Sequence, residues 1–223
     1  MTALIRFFNE VGKLKFIKRM GWILGGVKES ETESIADHSF RLALMSWYFA
    51  DKKGLDVGKV IKMSLVHDLC TIYSGDLTPY DNLVTGDFKH DKAILAKWPR
   101  RAKEEKERMV REQREKEEVS FNKLLANLPE KFAQEIRGLW LDYESGETKE
   151  GRFLAQIDRV EKLMQATEYR ANDKYLTEID PFWIQLKELV DDPDLIHFIE
   201  AMDKDFYQTG QNESQATSTK TAH

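Results

Sequence analysis

Cysteine is nearly absent. Cys70 is the single one in 223 residues, so no intrachain disulfide can form and no cysteine cage for zinc is available. That usage suits a reducing compartment, and a cytoplasmic location is expected. Long apolar runs are missing too. The opening Met1-Thr-Ala-Leu-Ile-Arg6 meets charge before a leader core can form, and nothing later approaches the roughly 18 apolar residues of a membrane span, so no membrane partner is expected. There is no positive excess either: 34 Lys and Arg face 39 Asp and Glu, a net charge of -5. No electrostatic footprint for a nucleic acid polymer results, although a small phosphorylated ligand needs only a local cluster of positive charge. Strand-like alternation bounded by turn residues is hard to find.

What is present is helical periodicity, which predicts an all-α fold in one compact domain over residues 1–207, followed by a disordered polar tail over 208–223. Leu4, Phe7, Phe8, Val11, Leu14, Ile17 and Met20 trace one face of a first helix ended by Gly25-Gly26. Phe40, Leu44, Trp47 and Tyr48 trace a second, with Ser34 as its cap and Gly54 near its stop. A third runs from about Val57 to Tyr73, and an ordered loop follows between Gly75 and Asp87. From Arg100 to Glu118 charge dominates, with Glu104/Arg108, Glu107/Arg111 and Glu112/Lys116 spaced for pairing on a solvated helix face. Phe153, Ile157, Val160, Leu163, Met164 and Thr167 trace a long amphipathic helix, and Pro181 and Pro193 stand near the starts of two shorter ones.

Hydrophilic ligand types interrupt the apolar stretches at three places. His67 and Asp68 sit inside Ser64-Leu-Val-His-Asp-Leu-Cys70, His38 inside Ile35-Ala-Asp-His-Ser-Phe40, and Asp158 inside Leu154-Ala-Gln-Ile-Asp-Arg159. A carboxylate in apolar surroundings needs a cation, a metal or several donors. Asp158 alone could pair with Arg159 or Arg41, and His38 alone could be a satisfied core histidine. Together, two imidazoles and two carboxylates form a mixed nitrogen and oxygen set suited to one divalent transition ion, with positions left for water and a substrate oxygen. His90, His197 and His223 lie in charged, surface-like or tail segments and receive no role.

The order His38, His67-Asp68, Asp158 resembles the HD-domain metal-dependent phosphohydrolases, and within them the 5'-deoxynucleotidase branch. The likeness extends to Leu14-Lys-Phe-Ile-Lys-Arg19 with Gly21-Trp22, to Gly75-Asp-Leu-Thr-Pro79, and to Arg152-Phe-Leu-Ala-Gln-Ile-Asp-Arg159 with Gln165-Ala-Thr-Glu-Tyr169. The resemblance implies a single HD-domain helical bundle, one divalent ion (Co, Mn, Zn, Fe, Ni or Mg) on His38, His67, Asp68 and Asp158, and a homodimer. It also implies phosphate release from (deoxy)nucleoside 5'-monophosphates. Arg19 is then the phosphate clamp, because a guanidinium donates paired hydrogen bonds to phosphate oxygens. Asp76 binds the sugar or positions water, unless it only forms the turn, and Trp22 either walls the base and sugar or belongs to the core.

One position departs from the pattern. The family normally reads His-Asp, two residues, then a Glu that acts as general acid or orders the water, whereas this chain has Thr71. A hydroxyl has no proton to give near neutral pH, and general acid work contributes roughly 10²–10⁴-fold. Thr71 therefore leaves three readings: a slow phosphohydrolase that relies on its metal, a variant whose natural residue was Glu, or a nucleotide-binding regulatory module with little turnover. A different class, a helical interaction protein working through Arg100–Glu118, would bind no metal.

Overall fold

Ser34 and Asp37 set where the central helix begins. The Ser34 hydroxyl accepts the Asp37 N–H at 3.2 Å while the Asp37 carboxylate accepts the Ser34 N–H at 2.8 Å, a reciprocal capping box. The computed structural model describes residues 1–78, 91, 94, 102–172 and 180–205. In chain order its helices are α1 (Thr2–Val11), α2 (Met20–Leu24), α3 (Ile35–Lys52), α4 (Val57–Val66), α5 (Thr71–Ser74), α6 (Lys103–Leu125), α7 (Glu130–Ser145), α8 (Lys149–Ala171), α9 (Asp180–Leu189) and α10 (193–205). Among the described residues, β-pairing is limited to one isolated bridge between Lys18 and Ser34. The fold is all-α, and no described helix is long and apolar enough to cross a membrane. The expected tail over 208–223 and the loop beyond Thr78 lie outside the described residues.

Helices α3, α4, α7 and α8 pack as the central group, with α9 against α8 and α1 against α6. Two cores result. One joins Leu42, Val60, Met63, Leu154, Ile157 and Leu163; the other joins Phe7, Ile35, Leu69, Phe121, Ile136 and Trp140. Each fully buried aliphatic or aromatic side chain contributes roughly 1.5–3 kcal/mol. His38 stands between Ile35 of the second core and Leu42 of the first, and His67 between Met63 of the first and Leu69 of the second. The seam between the cores is thus lined by the polar residues that interrupt the apolar pattern.

Three expectations need correction. The first apolar stripe is not one helix: a 3-10 turn over Gly12–Lys15 follows α1, and residues 17–19 run extended beside 33–35. The Arg19 N–H reaches the Glu33 carbonyl at 3.1 Å and the Ile35 N–H reaches the Ile17 carbonyl at 2.9 Å, so pairing with the start of α3 wins over helix continuation. The stripe Phe40, Leu44, Trp47 and Tyr48 faces solvent, each side chain at least 50% exposed, while Ile35, His38, Leu42, Ser46 and Phe49 form the buried side. Helix α3 is apolar on two faces, so periodicity alone selects neither. The third helix, expected to reach Tyr73, stops at Val66, and a turn over 67–70 precedes α5.

The α7–α8 hairpin is unusually close. Gly146, at φ +60°, ends α7 in the left-handed conformation that glycine tolerates. Thr148 caps α8 by accepting the Gly151 N–H at 3.2 Å and donates to Asp142 at 2.6 Å. A Cβ on Gly151 would lie 2.4 Å from the Asp142 carbonyl oxygen, which is backbone and cannot swing aside. Gly151→Ala is therefore expected to cost about 1–3 kcal/mol, read as a lowered urea midpoint with unchanged slope.

Candidate active site

The turn after α4 prepares His67. The Ser64 carbonyl, which lies where a continuous helix would receive the Asp68 N–H, accepts from the His67 Nδ1 at 2.8 Å. A carbonyl can only accept, so Nδ1 carries the proton and Nε2 presents its lone pair. Across from it, the Nδ1 of His38 meets Glu161 at 2.5 Å, and the other Glu161 oxygen accepts from Arg41 Nε at 2.7 Å. His38 Nε2 is thereby turned toward the same space.

Helix α8 supplies the third group. Asp158 Oδ1 lies 3.1 Å from His38 Nε2, while its Oδ2 accepts from Lys162 at 2.6 Å and from the Tyr143 hydroxyl at 3.1 Å. His38 Nε2, His67 Nε2 and Asp158 Oδ1 are all buried without a hydrogen-bond partner, and ligand atoms of these three residues lie within 4.8 Å of one another. Asp68 completes the set: its Oδ2 is 3.2 Å from His67 Nε2 and 3.9 Å from His38 Nε2. Buried polar atoms are ordinarily paired, so three orphaned ones aimed together fit a cation that ligates all of them. The donor chemistry, two imidazole nitrogens with carboxylate oxygens, suits a divalent ion of the transition series. The structure thus brings together the four residues that the sequence singles out, His38, His67 and Asp158 as one convergent group with Asp68 beside it.

Electrostatics agree with that fit. Burial and Arg19 push the His38 pKa down, but Asp158 and Glu161 on either side of the ring outweigh them and lift it to about 9. The pocket favours positive charge at His38 Nε2, and a metal ion supplies it. Burial would raise the Asp68 carboxyl, yet His67 and Arg19 hold it well below the usual carboxylate range. Asp68 stays ionised.

Arg19 comes from the extended strap, not from a helix face. Its Nη1 donates to Asp68 Oδ2 at 2.8 Å and lies 4.0 Å from Asp76. Asp76 accepts the Met20 N–H at 2.6 Å, which ties the loop after α5 to the strap. Arg19, Asp68, Thr71 and Asp76 line one cavity of about 310 Å³, together with Glu117, Tyr143, Glu144 and Lys162. That volume is at the lower end of the roughly 300–1,000 Å³ range for small-ligand pockets. Thr71 is buried and spends its hydroxyl on the Asp68 carbonyl at 2.7 Å, so it holds the turn. Trp22 lies elsewhere: it is 4% exposed, donates to Glu33 at 2.7 Å and packs edge-on against Tyr169, within the core.

Several residues of the site escaped the sequence reading. Glu161 stands three positions after Asp158 and seven after Leu154, so a polar residue on the buried face of α8 was a usable signal. Lys162, not Arg159 or Arg41, partners Asp158. Tyr143 and Glu117 gave no signal, since only the packing of α6 and α7 brings them to the cavity.

A family model described as an HD domain matches residues 11–186. The 5'-deoxynucleotidase HDDC2 of Xenopus laevis is 30% identical over 200 residues, covering 90% of this chain and 86% of that protein. The protein of the same name from Dictyostelium discoideum is 32% identical over 176 residues, 76% of this chain and 78% of its own. Among solved structures, a Magnetospirillum magnetotacticum protein described as a predicted metal-dependent phosphohydrolase superposes with TM-score 0.62 at 23% identity, covering 94% of this chain and 93% of that one, which speaks for the fold. Removing one imidazole tests the donor set. At free metal 100 times Kd, the parent should gain about 2.7 kcal/mol of stability, seen as a rise in Tm. Elemental analysis should find a divalent metal in the parent, and His67→Ala should lose both that metal and the rise in Tm.

Proposed function

The chain belongs to the HD-domain family, and from that premise we propose that it is a divalent-metal-dependent phosphohydrolase releasing phosphate from (deoxy)nucleoside 5'-monophosphates. One observation carries the reading: three orphaned, buried ligand atoms converge beside a guanidinium at the wall of a cavity. The names of the relatives supply the substrate class. The ion, when bound, contributes Lewis-acid charge to the phosphoryl oxygens and makes a water acidic enough to attack near neutral pH.

The chain's own side chains do the rest. Arg19 has N–H groups beyond the one on Asp68, and a guanidinium fork matches two phosphate oxygens at once. Its charge is permanent, since the carboxylates around it raise a pKa that burial alone would lower. Lys162 adds a second positive group at the wall. Asp76, anchored to the Met20 N–H, stands where it can accept from a sugar hydroxyl or order a water. Glu161 and Arg41 keep the His38 ring from turning. In this reading the domain spans 1–207, works in the cytoplasm, and pairs with a second copy through the exposed α3 face of Phe40, Leu44, Trp47 and Tyr48.

Phosphate release from a panel of nucleoside mono-, di- and triphosphates with added Co, Mn, Mg or Zn tests the assignment. Turnover of monophosphates, lost on chelation, is the expected result, and tight binding without release under every metal would defeat it. Arg19→Ala should forfeit about 1.5–3 kcal/mol of transition-state stabilisation, roughly 10- to 150-fold in kcat/KM. Trp47→Glu should convert a sedimenting dimer to a monomer; an unchanged mass would place the interface elsewhere.

A further inference from the structure

Thr71 leaves a vacancy in the chemistry. A 5'-nucleotide loses its phosphate together with an alkoxide, a poor leaving group that needs a proton as the P–O bond breaks. Thr71 cannot provide it, and its hydroxyl is already committed to the Asp68 carbonyl. The same wall nevertheless contains other carboxyls. Asp68 is held ionised among the metal-binding groups. Burial and the charge of Asp68 raise both Asp76 and Glu144, but Asp76 is tied to the Met20 N–H and faces Arg19, and Glu144 is an exposed residue.

Glu117 differs from all three. It lies in the C-terminal half of α6, half-buried in a stretch whose neighbours Lys116 and Glu118 are exposed. Helix α6 packs directly on α5, whose first residue is Thr71, and Glu117 and Thr71 line the same cavity. Gln113 Nε2 donates to one Glu117 oxygen at 2.8 Å, which fixes the carboxyl one helical turn along and leaves the other oxygen for a ligand. Resting on the nucleotidase reading above, we propose that Glu117, delivered from α6, is the proton donor to the departing 5' oxygen. In the step, water-derived hydroxide forms a bond to phosphorus, the bond from phosphorus to the 5' oxygen breaks with its electron pair on that oxygen, and the carboxyl O–H of Glu117 transfers its proton there. The products are the nucleoside alcohol, hydrogen phosphate and the Glu117 carboxylate, which recovers a proton from solvent.

The surroundings suit a proton donor. Burial first, then the negative charges of Glu144 and Asp68, push the Glu117 carboxyl up to about 7, against the opposing hydrogen bond from Gln113. The other charged groups at the cavity wall are Asp76 and the cations Arg19, Arg114 and Lys162. Cys70 and Tyr143 also face it and stay neutral, since burial raises both. A donor must be protonated, so its contribution is full below about 7 and fades as pH rises through that value.

The test compares two substrates with Glu117→Gln in metal-loaded protein. A deoxynucleoside 5'-monophosphate, which leaves as an alkoxide, should slow on the order of 10²-fold in kcat. 4-Nitrophenyl phosphate, whose phenolate leaves without a proton, should lose far less. The variant should keep its metal, lose the alkaline limb of the kcat profile, and regain deoxynucleotide turnover when Thr71→Glu is added. Equal losses on both substrates, or an unchanged alkaline limb, would overturn the assignment of Glu117 alone. A parent protein that releases phosphate from neither substrate would bring down the nucleotidase reading, and this assignment with it.

Discussion

Burying charge without water is the constraint on which the molecule is organised. His38, His67 and Asp158 are withdrawn from solvent at the meeting of two apolar cores, with ligand atoms facing one another. In an apolar core such groups are costly unless each finds a partner. Half of their needs are met by the chain: Glu161 and the Ser64 carbonyl hold the imidazoles from behind, and Lys162 and Tyr143 hold Asp158. The other half is left facing inward. Metal binding and folding are consequently linked, since the ion completes what the helices leave unsatisfied.

Around that centre the fold works as a means of importing groups from far apart in the chain. The strap over residues 17–19 has no helical bonds of its own and takes them from residues 33–35. It delivers Arg19 onto Asp68, 49 positions later. Asp76 then closes on the strap through the Met20 N–H, so the edge of the cavity that carries Arg19 is made of two irregular segments, each stabilised by the other. Irregular backbone here is what allows a guanidinium to stand beside a helical metal site.

Legibility followed residue chemistry. His38, His67, Asp68 and Asp158 were readable because hydrophilic ligands interrupt apolar stretches, and Ser34 was readable as a cap because its preference is local. Phe40, Leu44, Trp47 and Tyr48 were readable as a stripe but not as its exposed side, because α3 carries apolar residues on two sides and only packing chooses between them. Trp22 was readable only as an alternative between wall and core. Glu117 was hidden for the opposite reason: within a run as charged as Arg100–Glu118, one glutamate resembles its neighbours, and only contact with α5 separates it from solvated ones.

The closeness of α7 and α8 has a reach beyond stability. Asp158 stands two helical turns after Gly151, and Tyr143 directly follows Asp142, so the contact that brings Gly151 against the Asp142 carbonyl also sets how far Asp158 stands from α7. A single hydrogen at position 151, where every other residue carries a carbon, thus helps set the register between two helices whose facing side chains, Tyr143 and Asp158, meet at 3.1 Å.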